Sequence, residues 1–283
     1  MPTFILADNG SKRPESTLNL RRLAATLSQR AGTQVDPVSL LHSDRIPADL
    51  LGGQPAETLA PALARLVRQG HQALVLIPLF FGPSRALSQF VPETAARVAN
   101  DCGAFSLQVA PALCPLPTGE PRLVDILYDN LMSGGELRGM KTGRAILVDH
   151  GSPIPEVTAV RHWLGERLQE RLEEEVRLEQ AVMERREGAA YDFNGPLLED
   201  LLGRLAEEDA TAPVTLSMLF LSAGRHAGPE GDIRDICRRV SACHPGLEVR
   251  ISPLVGDHPG LVDILLARLT ERHRWNNLSP AAG

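Results

Sequence analysis

The sequence predicts an α/β protein of two tandem domains, each a parallel sheet flanked by helices, with an interdomain cleft. Three observations predict it. First, the chain repeats itself in order. Asp8-Asn9-Gly10-Ser11 matches Asp149-His150-Gly151-Ser152, 141 residues on, and Leu79-Phe80-Phe81 matches Leu219-Phe220-Leu221, 140 on. Leu123-Val124-Asp125-Ile126-Leu127 then recurs letter for letter at 261–265, 138 on. Ordered matches with so little drift mark an internal duplication. Second, short apolar runs alternate with helical patterns in each copy, the signature of βαβ units under a sheet covered on both faces. Third, 283 residues at 43% hydrophobic content can furnish two modest cores. The copies span roughly 1–138 and 142–275, joined by Ser133-Gly134-Gly135 through Gly143.

Each copy opens on an apolar run, Phe4 to Ala7 or Ala145 to Val148, followed by a Gly-Ser turn and a helix. A second run, Ala73 to Phe81 or Val214 to Leu221, and a third, Leu107 to Ala110 or Val249 to Ile251, precede the closing Leu-Val-Asp-Ile-Leu helix. Val35, Val38, Leu40 and Leu41 add a strand to the first copy. In the second copy Val160, Leu164, Leu168, Leu172 and Val176 recur every fourth residue. They predict one long amphipathic helix over about Val157 to Glu187, its acidic face including Glu173-Glu174-Glu175. Trp275-Asn276-Asn277 and the Ser-Pro-Ala-Ala-Gly tail read as a frayed terminus.

Composition narrows the function. A formal charge of −6 argues against a nucleic-acid binder. No apolar run reaches the ~20 residues of a membrane helix. The four cysteines, at 102, 114, 237 and 243, form no C-x-x-C pair and read as reduced, mostly buried thiols, with the cytoplasm as the expected compartment. No phosphate-loop pattern is present, so a nucleotide-driven reaction is not indicated. Nor does Ser152 sit in a G-x-S-x-G elbow, which weakens a serine hydrolase.

Ligands of open parallel sheets bind beyond the carboxyl ends of the strands. His150 directly follows one such strand, and His226 lies in the glycine-bearing loop after the next. Two imidazoles at one sheet edge can converge on a metal ion, and imidazole suits Fe(II), Co(II), Ni(II) and Zn(II). The first copy supplies an internal control, with Asn9 opposite His150 and Ala86 opposite His226. One active centre per chain follows, carried by the second copy.

Val148-Asp149-His150-Gly151-Ser152 together with Phe220-Leu221-Ser222-Ala223-Gly224-Arg225-His226 resembles the CbiX-type sirohydrochlorin chelatases, class II tetrapyrrole chelatases whose long members are tandem duplications. The resemblance implies two chelatase-like domains with the macrocycle in the cleft between them. It implies ATP-independent insertion of Co2+ or Fe2+ into sirohydrochlorin or a related tetrapyrrole, leading to cobalamin or sirohaem. His150 and His226 would bind the metal, which is a substrate; no cofactor is permanently held. A carboxylate is expected between the imidazoles. Glu184, placed by the sequence at the end of the long helix, is the first choice and Asp232 the second. The carboxylate-rich macrocycle would meet Arg225, Arg85 and the anion-binding turns at Ser152 and Ser11. The alternative is a non-catalytic tetrapyrrole or metal carrier derived from a chelatase. Expected partners are the tetrapyrrole and the ion, with neither nucleic acid nor membrane, in a monomer or a homodimer.

Overall fold

The computed structural model describes residues 2–133 and 143–278; most of the joining segment, 134–142, and the tail at 279–283 lie outside the described residues. The chain opens on β1 (Thr3–Asp8), whose Phe4, Ile5, Leu6 and Ala7 are all buried, as a strand covered on both faces requires. Next comes α1 (Pro14–Ala31). Pro14 starts it where a missing N–H costs nothing, and Gly32, at φ 63°, closes it with a left-handed cap. Then follow β2 (Val35–Ser39), α2 (Leu59–Arg68), β3 (Ala73–Pro78), α3 (Val91–Cys102), β4 (Ser106–Val109) and α4 (Pro121–Met132). The second copy repeats this order with β5 (Gly143–Asp149), α5 (Pro155–Arg171), β6 (Val176–Val182), α6 (Leu198–Asp209) and β7 (Val214–Met218). It continues with α7 (Asp232–Cys243), β8 (Val249–Ile251) and α8 (Leu261–Thr270), before a short β9 (Asn276–Asn277).

Two sheets result, ordered β2-β1-β3-β4-β9 and β6-β5-β7-β8. All pairings are parallel except that of β9 with β4. In each sheet the chain's first strand lies between its second and third. Strand order therefore reverses beside β1 and beside β5, and a crevice opens at their carboxyl ends.

The compact units are not the sequence copies. One comprises 1–115 with 262–283, the other 116–261. Each copy's last helix is thus exchanged: α4 packs on α5 and β7, while α8 from Val262 onward belongs to the first unit. The duplication explains why each fits its host. Asp125 of α4 pairs with Arg171 at the end of α5, and Asp263 of α8 pairs with Arg30 at the end of α1 at 2.6 Å. Arg30 and Arg171 are equivalent positions, 141 residues apart. Such exposed ion pairs are worth only ~0–1 kcal/mol. Adhesion comes from Leu123, Ile126 and Leu127, and from Leu261, Ile264 and Leu265, none more than 2% exposed. Each contributes roughly 1.5–3 kcal/mol. Copies 1–138 and 142–275 therefore differ from these units by one exchanged helix each.

Two expectations fail. The helix foreseen over Val157 to Glu187 ends at Arg171, and 176–182 forms β6, parallel to β5. Val160, Leu164 and Leu168 do form the buried helical stripe, but Leu172 caps the helix and Val176 starts the strand. Without β6 the open edge of β5 would leave backbone groups unpaired in a buried setting, a cost that outweighs any helical preference of the Glu173-Glu174-Glu175 turn. The segment Trp275-Asn276-Asn277 is also not frayed. Trp275 packs edge-on to Phe4 at 6.0 Å between centroids and donates its indole N–H to the Arg268 carbonyl at 2.9 Å. Asn276 and Asn277 then cover the edge of β4. Cys114 and Cys237 are buried and Cys102 half-buried, whereas Cys243 is exposed. Among the described residues no helix is long and apolar enough to cross a membrane.

Candidate metal centre

The centre grows out of the ends of β5, β6 and β7. Beyond Asp149 the ladder continues past the named strands: Met183 N–H donates to the Asp149 carbonyl at 2.8 Å and Glu184 N–H to that of His150 at 3.1 Å. His150 and Glu184 are therefore neighbours by strand register, and their side chains meet with Nε2 3.2 Å from Oε1. Gly151 permits this approach. Its φ is 91°, and a Cβ there would collide with the Glu184 carbonyl oxygen. His226 arrives from the loop after β7, where its carbonyl accepts the Ile233 N–H at 3.1 Å at the start of α7. The two imidazoles stand edge to face, 4.5 Å between centroids at 74°. Glu184 thus stands beside His150, as a strand-end residue rather than the helix-end one expected.

Both rings are tethered through Nδ1. That of His150 lies 3.0 Å from the Gly151 carbonyl oxygen, and that of His226 lies 2.6 Å from Asp232 Oδ2. Asp232 therefore stands behind His226 instead of between the imidazoles. Among the described residues no group of three or more His, Cys, Asp or Glu side chains is arranged to hold a metal ion as it stands. What exists is an open donor set, two imidazoles with Glu184 beside one of them. A cation placed between His150 Nε2 and the Glu184 carboxylate would satisfy both.

Beneath the rim lies a rigid polar strut that sequence reasoning missed. Arg161 of α5 is 1% exposed and pairs with Asp149 at 3.2 Å. Burial raises the Asp149 pKa, and the guanidinium opposes that rise. Arg161 also donates to Gln180 Oε1 at 3.1 Å and to the Asn194 carbonyl at 2.6 Å. Asn194, fully buried, accepts from Ser152 N–H at 3.0 Å and from Thr158 Oγ1 at 3.1 Å, and donates to the Ser152 carbonyl at 2.9 Å. This network holds the turn carrying His150.

The four residues expected on the macrocycle are less convergent. Ser152 Oγ accepts the Ile154 N–H at 3.1 Å, and Ser11 Oγ accepts the Arg13 N–H at 3.0 Å, so both hydroxyls shape their own turns. The Ser152 N–H is also taken, by Asn194. Arg225 lies at the rim with its side chain 75% exposed, 3.6 Å from Asp232. Arg85 is exposed in the equivalent loop of the first unit.

That unit repeats the backbone without the chemistry. Leu40 and Leu41 donate to the Asp8 and Asn9 carbonyls, as Met183 and Glu184 do to those of Asp149 and His150. Gly10 has φ 87° and would clash with the Leu41 carbonyl. Asn9, Leu41 and Ala86 therefore occupy the places of His150, Glu184 and His226. The strut is absent too, since Leu20 stands opposite Arg161. Asp8 is left half-buried, its Oδ1 out of contact with solvent, and desolvation raises its pKa to about 6. The folded state then holds its proton more tightly than the unfolded chain does. Stability is full below about pH 4 and declines as pH rises through 6. Asp8→Asn is accordingly expected to raise stability by ~1–3 kcal/mol at about pH 7.5 and change little near pH 4, as read by urea unfolding at the two pH values. An equal effect at both would reject this account.

Paired parallel α/β sheets with an imidazole pair at one switch point define a protein of the chelatase fold. Residues 144–272 match the model of the CbiX family. No curated protein matches the sequence significantly. Among solved structures, SirB from Bacillus subtilis with Fe3+ superposes with a TM-score of 0.71 at 18% identity, covering 96% of this chain and 95% of that one. The sirohydrochlorin chelatase SirB from Bacillus subtilis subspecies spizizenii, in complex with cobalt, gives 0.62 at 18% identity with the same coverage. CbiX, the terminal enzyme of sirohaem biosynthesis in denitrifying bacteria, gives 0.59 at 15%, covering 95% of this chain and 98% of that one. At these identities the likeness establishes the fold.

Proposed function

We propose that this protein inserts a divalent metal, Co2+ or Fe2+, into sirohydrochlorin or a closely related tetrapyrrole without nucleotide. The observation that carries the reading is the edge-to-face pair of His150 and His226, 4.5 Å apart, with Glu184 3.2 Å from His150. Metallation strips water from the ion and removes two pyrrole protons. Imidazoles can hold the ion and, at neutral pH, accept a proton, while the Glu184 carboxylate balances charge. An open donor set suits transfer, because a closed four-ligand cage would retain the ion. The CbiX family match and the SirB and CbiX likenesses support the same reading.

The test mixes purified protein with sirohydrochlorin and Co2+ or Fe2+ and follows the absorption change. Acceleration over buffer is expected. Binding of the tetrapyrrole without acceleration would replace this reading with the carrier alternative, and the absence of both would end it.

A further inference from the structure

Resting on the reading of this edge as a metal centre, we infer that Asp232 is a positioning residue: it fixes His226 as the Nδ1–H tautomer and so aims a bare Nε2 at the incoming ion. The 2.6 Å contact between His226 Nδ1 and Asp232 Oδ2 is the first support. An ionised carboxylate only accepts hydrogen bonds, so the ring nitrogen supplies the hydrogen. His150 is held the same way through its Nδ1, by a backbone carbonyl that likewise can only accept. Both rings therefore present Nε2, the arrangement a two-imidazole site needs.

The loop is built for this contact. Asp232 is the first residue of α7, where a negative charge is favoured by the helix dipole. Asp232 N–H reaches back to the Arg225 carbonyl at 3.4 Å, and Ile233 N–H to that of His226 at 3.1 Å. A Cβ at Gly231 would press on the His226 and Arg225 carbonyl oxygens, at 2.5 and 2.9 Å. Carboxylate and imidazole are thus locked at one spacing. The duplication gives an independent control. The first copy has Ala86 in place of His226, and the residues 141 and 140 positions before Asp232 are Val91 and Pro92, neither of them a carboxylate. Fold alone does not require the carboxylate; it occurs with the histidine.

The experiment uses the whole protein with 15N-labelled histidine and no metal, at about pH 8, where unperturbed imidazoles are neutral. Wild type is expected to show His226 with a protonated Nδ1 and an unprotonated Nε2. In Asp232→Asn and Asp232→Ala the ring should shift toward the Nε2–H form, and Co2+ affinity measured by titration should fall roughly 10–100-fold. Asp232→Glu should restore both in large part. Unchanged tautomer and Co2+ affinity in Asp232→Asn and Asp232→Ala would overturn the inference, as would an Nε2–H ring in wild type. Failure of the functional reading would look different: wild type that binds no Co2+ yet still shows the Nδ1–H ring, lost in the Asp232 variants.

Discussion

With His150 or His226 replaced by alanine, metal insertion is expected to fall by at least about 100-fold, the scale on which removing a positioned proton-accepting or ligating group acts. The fold should be untouched. Both side chains are partly exposed, at 45% and 30%, and neither fills a core cavity. Surface changes of this sort usually stay within about 0.5 kcal/mol. Metallation of sirohydrochlorin by Co2+, followed by absorbance, measures the loss, and a thermal melt serves as control. Either variant running at the wild-type rate would exclude its imidazole from the reaction. Glu184→Gln separates charge from shape: it keeps the side chain's size, so a loss there reports the carboxylate's charge.

A second large effect is expected in stability. Arg161→Leu installs at the strut the residue that the first copy carries at Leu20. It strips Asp149 of its cation and leaves the Asn194 carbonyl without the 2.6 Å donor. Breaking a buried pair from one side costs about 3–5 kcal/mol. The loss should also depend on pH in a defined sense. Burial already raises the Asp149 pKa, and removing Arg161 takes away the main opposing influence. An acid whose folded pKa is raised loses stability as pH climbs through that value. The deficit should therefore grow as pH is raised and shrink as it is lowered, as urea unfolding at several pH values would show. A deficit independent of pH would mean that the arginine acts through packing alone.

Much of the fold was legible because it is written twice. Asp-Asn-Gly-Ser against Asp-His-Gly-Ser, and Leu-Val-Asp-Ile-Leu against itself, fix the strand and helix order without any contact being known. The imidazole pair was legible for the same reason: comparing Asn9 with His150 and Ala86 with His226 isolates the residues that differ on a shared backbone. β6 was not legible. Its charged residues, exposed Arg177 and half-buried Glu179, follow a helix whose four-residue stripe runs on by coincidence through Leu172 to Val176. The neglected signal was the first copy's strand from Val35 to Leu41, which implied a partner in the second. Glu184 accordingly sits at the end of a strand paired with β5, not at the end of a helix.

The sequence by itself determined the duplication, the parallel α/β class and the one-sided placement of the histidines, since these depend only on order and spacing along the chain. Tertiary structure alone decided which units α4 and α8 complete, that Glu184 lies alongside His150, and that Asp232 and Arg161 brace the edge. Those facts are contacts between distant residues. They follow from the need of each apolar face to find cover and of each buried polar group to find a partner, and no local pattern in the chain records which partner that will be.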